Sequence, residues 1–367
     1  MIAYGYWIVL HMLQFYSLFL FISVLVFLSI NLKLDKRILY ILGFVLIVFA
    51  GMRANGVDRD YEGYIKWFDE APMVMDFFSN TVSVFQRDPG FLLINSIFKS
   101  SDFSFELLIF CIAFFSVTLK VYSIQKMSPI PILSFLVYFS YIFLLQEMTT
   151  IRAGLAASIF LFSIPFLIKR RTIFYIFLIG LATTLHYSAL LFLLFLLMKN
   201  ENEKPNFYIF LIILSLLMSV LGTTVDFIFV RLAELNIDPR IDYYALEFEN
   251  GLDKVNIYNT TWMSNLLLSL ILLLNFEKMK KISGYASHII RIHAISVILF
   301  FSFSGYPVMA FRLAELVGAI GILAWPFLIF VGKNRLFMLI LFLAACLNFF
   351  FSTLRIMDDY SISLFGY

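Results

Sequence analysis

Apolar stretches that are candidates to cross a membrane, some of them short, follow one another through almost the entire chain. They lie at 4–30, 37–52, 103–120, 130–146, 152–168, 172–198, 207–223, 260–276, 288–304, 312–331 and 335–352. An α-helix needs about 20 apolar residues to span the hydrocarbon core. Lipid offers no partner to backbone polar groups, so such segments fold as helices. The composition agrees: 62% hydrophobic, 14% charged and a mean hydropathy of +0.93, where a soluble domain is about half apolar and a quarter charged. The expected fold is an all-α polytopic membrane protein of about 11–12 transmembrane segments. It is read as one integral membrane domain over 1–367 with no separate soluble domain. A formal charge of +3 is too small to suggest a nucleic acid partner. Cys111 and Cys346 both lie inside apolar runs and read as small buried residues rather than a disulfide. The run 2–30 has no basic residue before it and is too long for a signal-peptide core, so no cleaved leader is expected.

Basic clusters orient the spans, because Lys and Arg collect on the cytoplasmic side. Lys33, Lys36 and Arg37 put the first connection inside and the N-terminus outside. Lys120 and Lys126 follow inside, as do Lys169, Arg170 and Arg171, then Lys278, Lys280 and Lys281, and finally Lys333 and Arg335. All of these agree only if the 27 residues of 172–198 enter the membrane and return. As one helix that run would be about 40 Å long. Thr183, Thr184 and His186 sit at its centre. The expectation is a broken or re-entrant hairpin with His186 at its tip, since irregular backbone at that depth must line protein or a wet cavity. The external connections are then 53–102, 224–259, a short 302–312 turn and the tail from 355. Amphipathic patches such as Phe227 to Leu232 read as short helices on the membrane surface.

Most isolated charges fall on the external side. Arg152 opens a span and is followed by Ala153, Gly154, Ala156, Ala157 and Ser158. Small residues let helices approach closely, so Arg152 is either held against neighbouring helices or snorkels at the interface. His186 is either a hydrogen-bonded structural group or a functional one. Arg312 and Glu315 share a helical face: they form a stabilising pair, or Glu315 orients Arg312 towards a phosphate. In the first loop, Arg53, Asp58, Asp60 and Tyr61 break out of an apolar helix, and Arg87 closes the loop beside a Pro-Gly turn. Asp58-Arg59-Asp60 has the Asp-x-Asp form of metal-dependent sugar-nucleotide transferases. Sugar nucleotides are cytoplasmic and this loop reads as external, so no metal is assigned. In the second loop Arg231 and Arg240 lie near Tyr243 and Tyr244, a set suited to sugar rings or simply solvated. No nucleophile elbow, P-loop, HExxH or Cys-His cluster is present.

Several short motifs recur in order: Gly51-x-Arg53 with Gly56-x-Asp58, then Asp88-Pro89-Gly90-Phe91, then Ile151-Arg152-Ala153-Gly154-Leu155-Ala156. Leu181-Ala182, His186-Tyr187-Ser188-Ala189-Leu190 and Phe311-Arg312-Leu313-Ala314-Glu315 follow, before a span containing Trp325-Pro326. In these the chain resembles the EpsG-type branch of the Wzy polymerases of bacterial surface polysaccharide, from about residue 40 to 330. One departure is Asp88, where family members often carry Glu before Pro-Gly. The resemblance implies a GT-C-like fold and a periplasmic active face on the inner membrane. The implied substrate is oligosaccharide repeats on undecaprenyl diphosphate, with no cofactor and with a chain-length regulator protein as partner. It implies transfer of the growing chain from its lipid diphosphate to a sugar hydroxyl of the next unit. Arginines suit the phosphate charge that builds on the leaving group, a role expected of Arg152 and Arg312, with Arg53 or Arg240 as further candidates. His186 or Asp58 would accept the hydroxyl proton.

Three other classes remain open at this level. A flippase of lipid-linked sugars would also need intramembrane arginines, but such transporters usually carry repeat symmetry, and none is visible here. A ligase that moves finished polymer shares the chemistry and differs in acceptor. A non-catalytic scaffold would not need charges at helix ends.

Overall fold

The computed structural model describes residues 12–29, 37–77, 79, 88–198, 204–225, 255–358 and 360–363. Arg87, Arg231, Arg240, Tyr243 and Tyr244, and the patch 227–232, lie outside these residues. The described residues are helical, with no strand beyond two isolated antiparallel bridges. The helices are α1 Leu13–Ser29, α2 Arg37–Gly51, α3 Tyr61–Asp69, α4 Pro89–Ser100, α5 Phe105–Met127 and α6 Pro131–Thr149, which is π-helical from Tyr138. Then come α7 Ile151–Ile168, α8 Thr172–Leu185, a 3-10 run Tyr187–Leu197, α9 Pro205–Leu221, α10 Thr260–Leu274 and α11 Phe276–Lys280. Helices α12 Ala286–Ser302, α13 Pro307–Gly318, α14 Gly321–Phe330 and α15 Arg335–Leu354 complete the chain. Among the described residues α5, α6, α7 and α15 are long and apolar enough to cross a membrane, and α13 with α14 is so only as a pair bent by 47°, a broken span or a re-entrant loop. The stretch 312–331, which reads as one straight span in the sequence, is thus broken between Gly318 and Gly321. Shorter apolar helices occupy the remaining expected positions.

The chain forms two compact units, 1–196 with 343–367, and 197–342. In the first, small residues set the helix spacing. A Cβ on Gly51 would lie 2.6 Å from the Phe110 ring, and one on Gly43 3.0 Å from Val121, so α2 lies directly on α5. Helix α7 packs between α5 and α8. Thereafter the chain turns back. Helix α8 stops at Leu185, and His186 is extended (φ −157°, ψ 110°). The Tyr175 hydroxyl donates to the Phe192 carbonyl at 2.7 Å across 17 residues, a separation of about 26 Å on a continuous helix. Phe192 also stacks on Phe160 of α7 at 3.8 Å. The expected hairpin with His186 at its tip is therefore present.

Lys120 departs from the charge count that placed it on the cytoplasmic side. It is fully buried on α5 and ion-paired with Glu147. A lysine inside a span reads as a boundary charge in the sequence, while its partner 27 residues away leaves no local sign.

The second unit is built around α12, which contacts α9, α10, α13 and α14. Trp262 stacks on Phe300 at 4.5 Å. Trp325 Nε1, which can only donate, points at Asn265 Oδ1 at 3.0 Å and so fixes the amide's orientation. The same oxygen then takes His293 Nε2–H at 3.1 Å, and His293 Nδ1 pairs with Ser269 at 2.8 Å. Both ring nitrogens are used, so this network holds α14 to α10 and α12 and reads as structure.

Candidate functional site

In the first unit the functional residues meet on one carboxylate. Asp88 precedes α4 at its N-cap, with Pro89 at the first helical position, a favoured pairing for a helix start. Its side chain nevertheless makes no capping bond. Oδ2 accepts from Arg152 Nη1 at the head of α7 and lies 3.8 Å from His186 Nδ1 at the hairpin tip. Oδ1 accepts the Tyr187 N–H at 3.0 Å. A helix start, a helix head and a chain break are thus gathered by one acid, although they are far apart in sequence.

Local sequence explains how they come so close. A Cβ on Gly90 would sit 2.4 Å from Thr184 Oγ1 and 3.0 Å from the Thr184 carbonyl carbon. Only glycine lets the start of α4 rest against the end of α8, two residues before His186. Gly90→Ala is expected to separate Asp88 from His186 and lower activity about tenfold or more, as a misplacement of about 1 Å does in pre-organised sites. Protein abundance should change less; activity at wild-type level with normal abundance would refute this packing argument.

An aromatic cage surrounds the arginine. The Arg152 guanidinium lies 4.2 Å from the Trp67 ring centroid, 5.8 Å from Phe91 and 5.9 Å from Tyr64. Such contacts hold a cation in place through the ring quadrupole. Trp67 and Tyr64 come from α3 and Phe91 from α4. Asp88 keeps 6% of its side-chain surface, Arg152 24% and His186 17%. The Nε of Arg152 and the Nδ1 of His186 are buried and lack a hydrogen-bond partner among the described residues. Burial pushes the Asp88 carboxyl up, but His186, Arg152 and the Tyr187 N–H outweigh it and hold it below its ordinary value. Tyr64 is raised by burial, against the pull of Arg152. Asp88 is therefore ionised at neutral pH, fixing a cation on one side and facing an imidazole on the other.

The first-loop candidates are arranged differently. Arg53 Nε donates to Asp58 Oδ2 at 2.8 Å and Nη1 to the Ala50 carbonyl at 2.6 Å. Both side chains are completely buried. Asp58 Oδ1 accepts the Asp60 N–H at 3.0 Å. Tyr61 is buried beneath Arg53, its ring 5.3 Å from the guanidinium. The C-terminal tail closes over them: Arg53 bridges to Ile362 and Asp58 to Met357. Tyr360 stacks on Phe49 at 4.0 Å and donates to its carbonyl. Arg53 and Asp58 thus face each other and the tail, while Asp60 is partly exposed at the start of α3. Arg312, exposed, and Glu315, half-buried, lie on α13 of the second unit.

Trp67 has no mark in the sequence, and Asp88 was named there as a motif member without a role. Its signal was the Asp-Pro-Gly-Phe motif, in which each member has a use here: carboxylate, helix start, close approach and cage wall.

The chain is 24% identical over 187 residues to the amylovoran biosynthesis protein AmsC of Erwinia amylovora, a match covering 49% of this chain and 48% of the relative. It thus spans about half the length of that curated relative. No solved structure matches it significantly. A family model matches residues 36–367, and the chain belongs to the EpsG family.

Proposed function

We propose that this protein is a GT-C-like glycosyltransferase. In this reading it polymerises undecaprenyl-diphosphate-linked oligosaccharide repeats into surface polysaccharide, on the periplasmic face of the inner membrane. The observation that carries the reading is the meeting of Arg152, Asp88 and His186. Family membership and the name of the amylovoran relative support it. The acceptor hydroxyl oxygen attacks the anomeric carbon of the growing chain. The bond from that carbon to the diphosphate oxygen breaks, its electron pair stays on the diphosphate, and the hydroxyl proton passes to His186. Asp88 faces Nδ1 of the ring, which leaves Nε2 as the proton acceptor. Arg152 stabilises the charge arriving on the diphosphate, and its unpartnered Nε is a donor that a phosphate oxygen would satisfy. Asp58, buried against Arg53, holds the first loop in this reading and takes no proton.

The test is the surface-polysaccharide ladder of a deletion strain complemented with wild type, Arg152→Ala or His186→Ala, with membrane abundance checked. Single repeats on the cell surface in the deletion, reproduced by both variants at normal abundance, are expected. No attached sugar at all would turn the reading to a flippase or ligase.

A further inference from the structure

We infer that Lys120 and Glu147 are positioning residues for Arg152. The inference rests on the reading of Arg152 given above. The chain breaks between the π-helical end of α6 and the start of α7, with Thr150 at φ −90° and ψ 61°. Arg152 is the second residue after that break. Lys120, on α5, grips both sides. Its ammonium donates to Glu147 on the π side and to the Gly154 carbonyl on the α7 side at 3.0 Å. A third contact goes to Ser116 Oγ at 3.4 Å. The Tyr138 hydroxyl donates to the same Glu147 oxygen at 3.0 Å. Gly154 lies against the π segment so closely that a Cβ would be 2.7 Å from the Gln146 carbonyl oxygen. Arg152 therefore sits inside a short loop of chain, 147–154, whose two ends are tied to one fully buried cation.

A buried pair of this kind is poor evidence for stability. Removing two charges from water costs about as much as their attraction returns, and apolar replacements are often neutral or stabilising. What it supplies is a fixed distance and direction. π-Helical turns are rare and are frequent at functional sites, and ionisable groups within spans rarely occur without a function. Here the clamp sets where α7 begins, and with it the approach of the Arg152 guanidinium to Asp88 and the Trp67 ring.

The experiment measures polymerisation by purified protein in detergent with the native lipid-linked repeat. It compares wild type, Arg152→Ala, the double variant Lys120→Met/Glu147→Leu and Gly154→Ala. The double variant removes both charges while keeping volume but leaves the Tyr138 hydroxyl without its acceptor, so its thermal midpoint should fall only by the few degrees that one lost hydrogen bond costs. Its kcat is expected to fall about tenfold or more with KM within about twofold, because a misplaced Arg152 loses transition-state contacts rather than substrate binding. Wild-type kcat in the double variant, with Arg152→Ala inactive, overturns the positioning role alone. Activity in Arg152→Ala overturns the reading of the site itself. If the double variant does not fold, Gly154→Ala decides. It keeps every charge and displaces only the α7 start; a lowered kcat at unchanged KM supports the clamp, and a wild-type kcat overturns it.

Discussion

Asp88→Asn is expected to abolish polymerisation to within about a hundredth of wild type, with the protein still reaching the membrane. The carboxylate receives three approaches on two oxygens: the Tyr187 N–H on one, Arg152 and His186 on the other. An amide has one oxygen and a donor group. Whichever way it turns, either Tyr187 or Arg152 faces an N–H2. Arg152 loses its anchor and His186 its orienting anion, and each of those roles is worth about 10²- to 10³-fold in comparable sites. Asp88→Glu keeps the charge and is expected to retain partial activity. Polymer length, membrane abundance and thermal midpoint together separate a chemical defect from a folding one. Asp88→Asn making polymer at wild-type rate would remove the carboxylate from the mechanism. The pH dependence has a definite sign. The folded carboxyl lies below its ordinary value of about 3.9, so its contribution is fully present above about pH 4 and is lost as pH falls through the depressed value.

The return of the chain at His186 was legible because charge parity is a global constraint: one misplaced span misplaces every later basic cluster. Arg152 was legible for a local reason, since an arginine beside a row of small residues has to be accommodated by neighbours. Asp88 was not, because Asp-Pro-Gly is also an ordinary helix start, and its partners come from α7 and from the residues following α8. Lys120 misled for a related reason. A cation near the end of an apolar run looks the same whether it meets water or a buried Glu147. The bend between α13 and α14 was hidden because Gly318 and Gly321 each fit an uninterrupted apolar span. The first-loop acids and arginines read only as part of an external loop, since the tail residues that cover Arg53 and Asp58 come some 300 residues later.

That cover leads to the second large expected effect. Arg53→Met should severely destabilise the protein, by about 3–5 kcal/mol, the usual cost of stranding one member of a buried ion pair. Asp58 would keep only the Asp60 N–H as a partner in a place its side chain shares with no solvent. The Ala50 carbonyl would lose its donor, and the Tyr61 ring its cation. The tail that bridges to residues 53 and 58 should loosen, and with it the entry to α3, which carries Tyr64 and Trp67 into the Arg152 cage. Arg53→Met/Asp58→Leu removes both charges together and should recover most of the lost stability, because an apolar pair of similar volume is tolerated where a lone charge is not. Activity then separates two roles that the sequence left open. If Arg53 and Asp58 act by holding the loop and tail, the double variant polymerises in proportion to its recovered stability. If either touches substrate, the double variant is stable and inactive, and the holding role gives way to one in the reacting site.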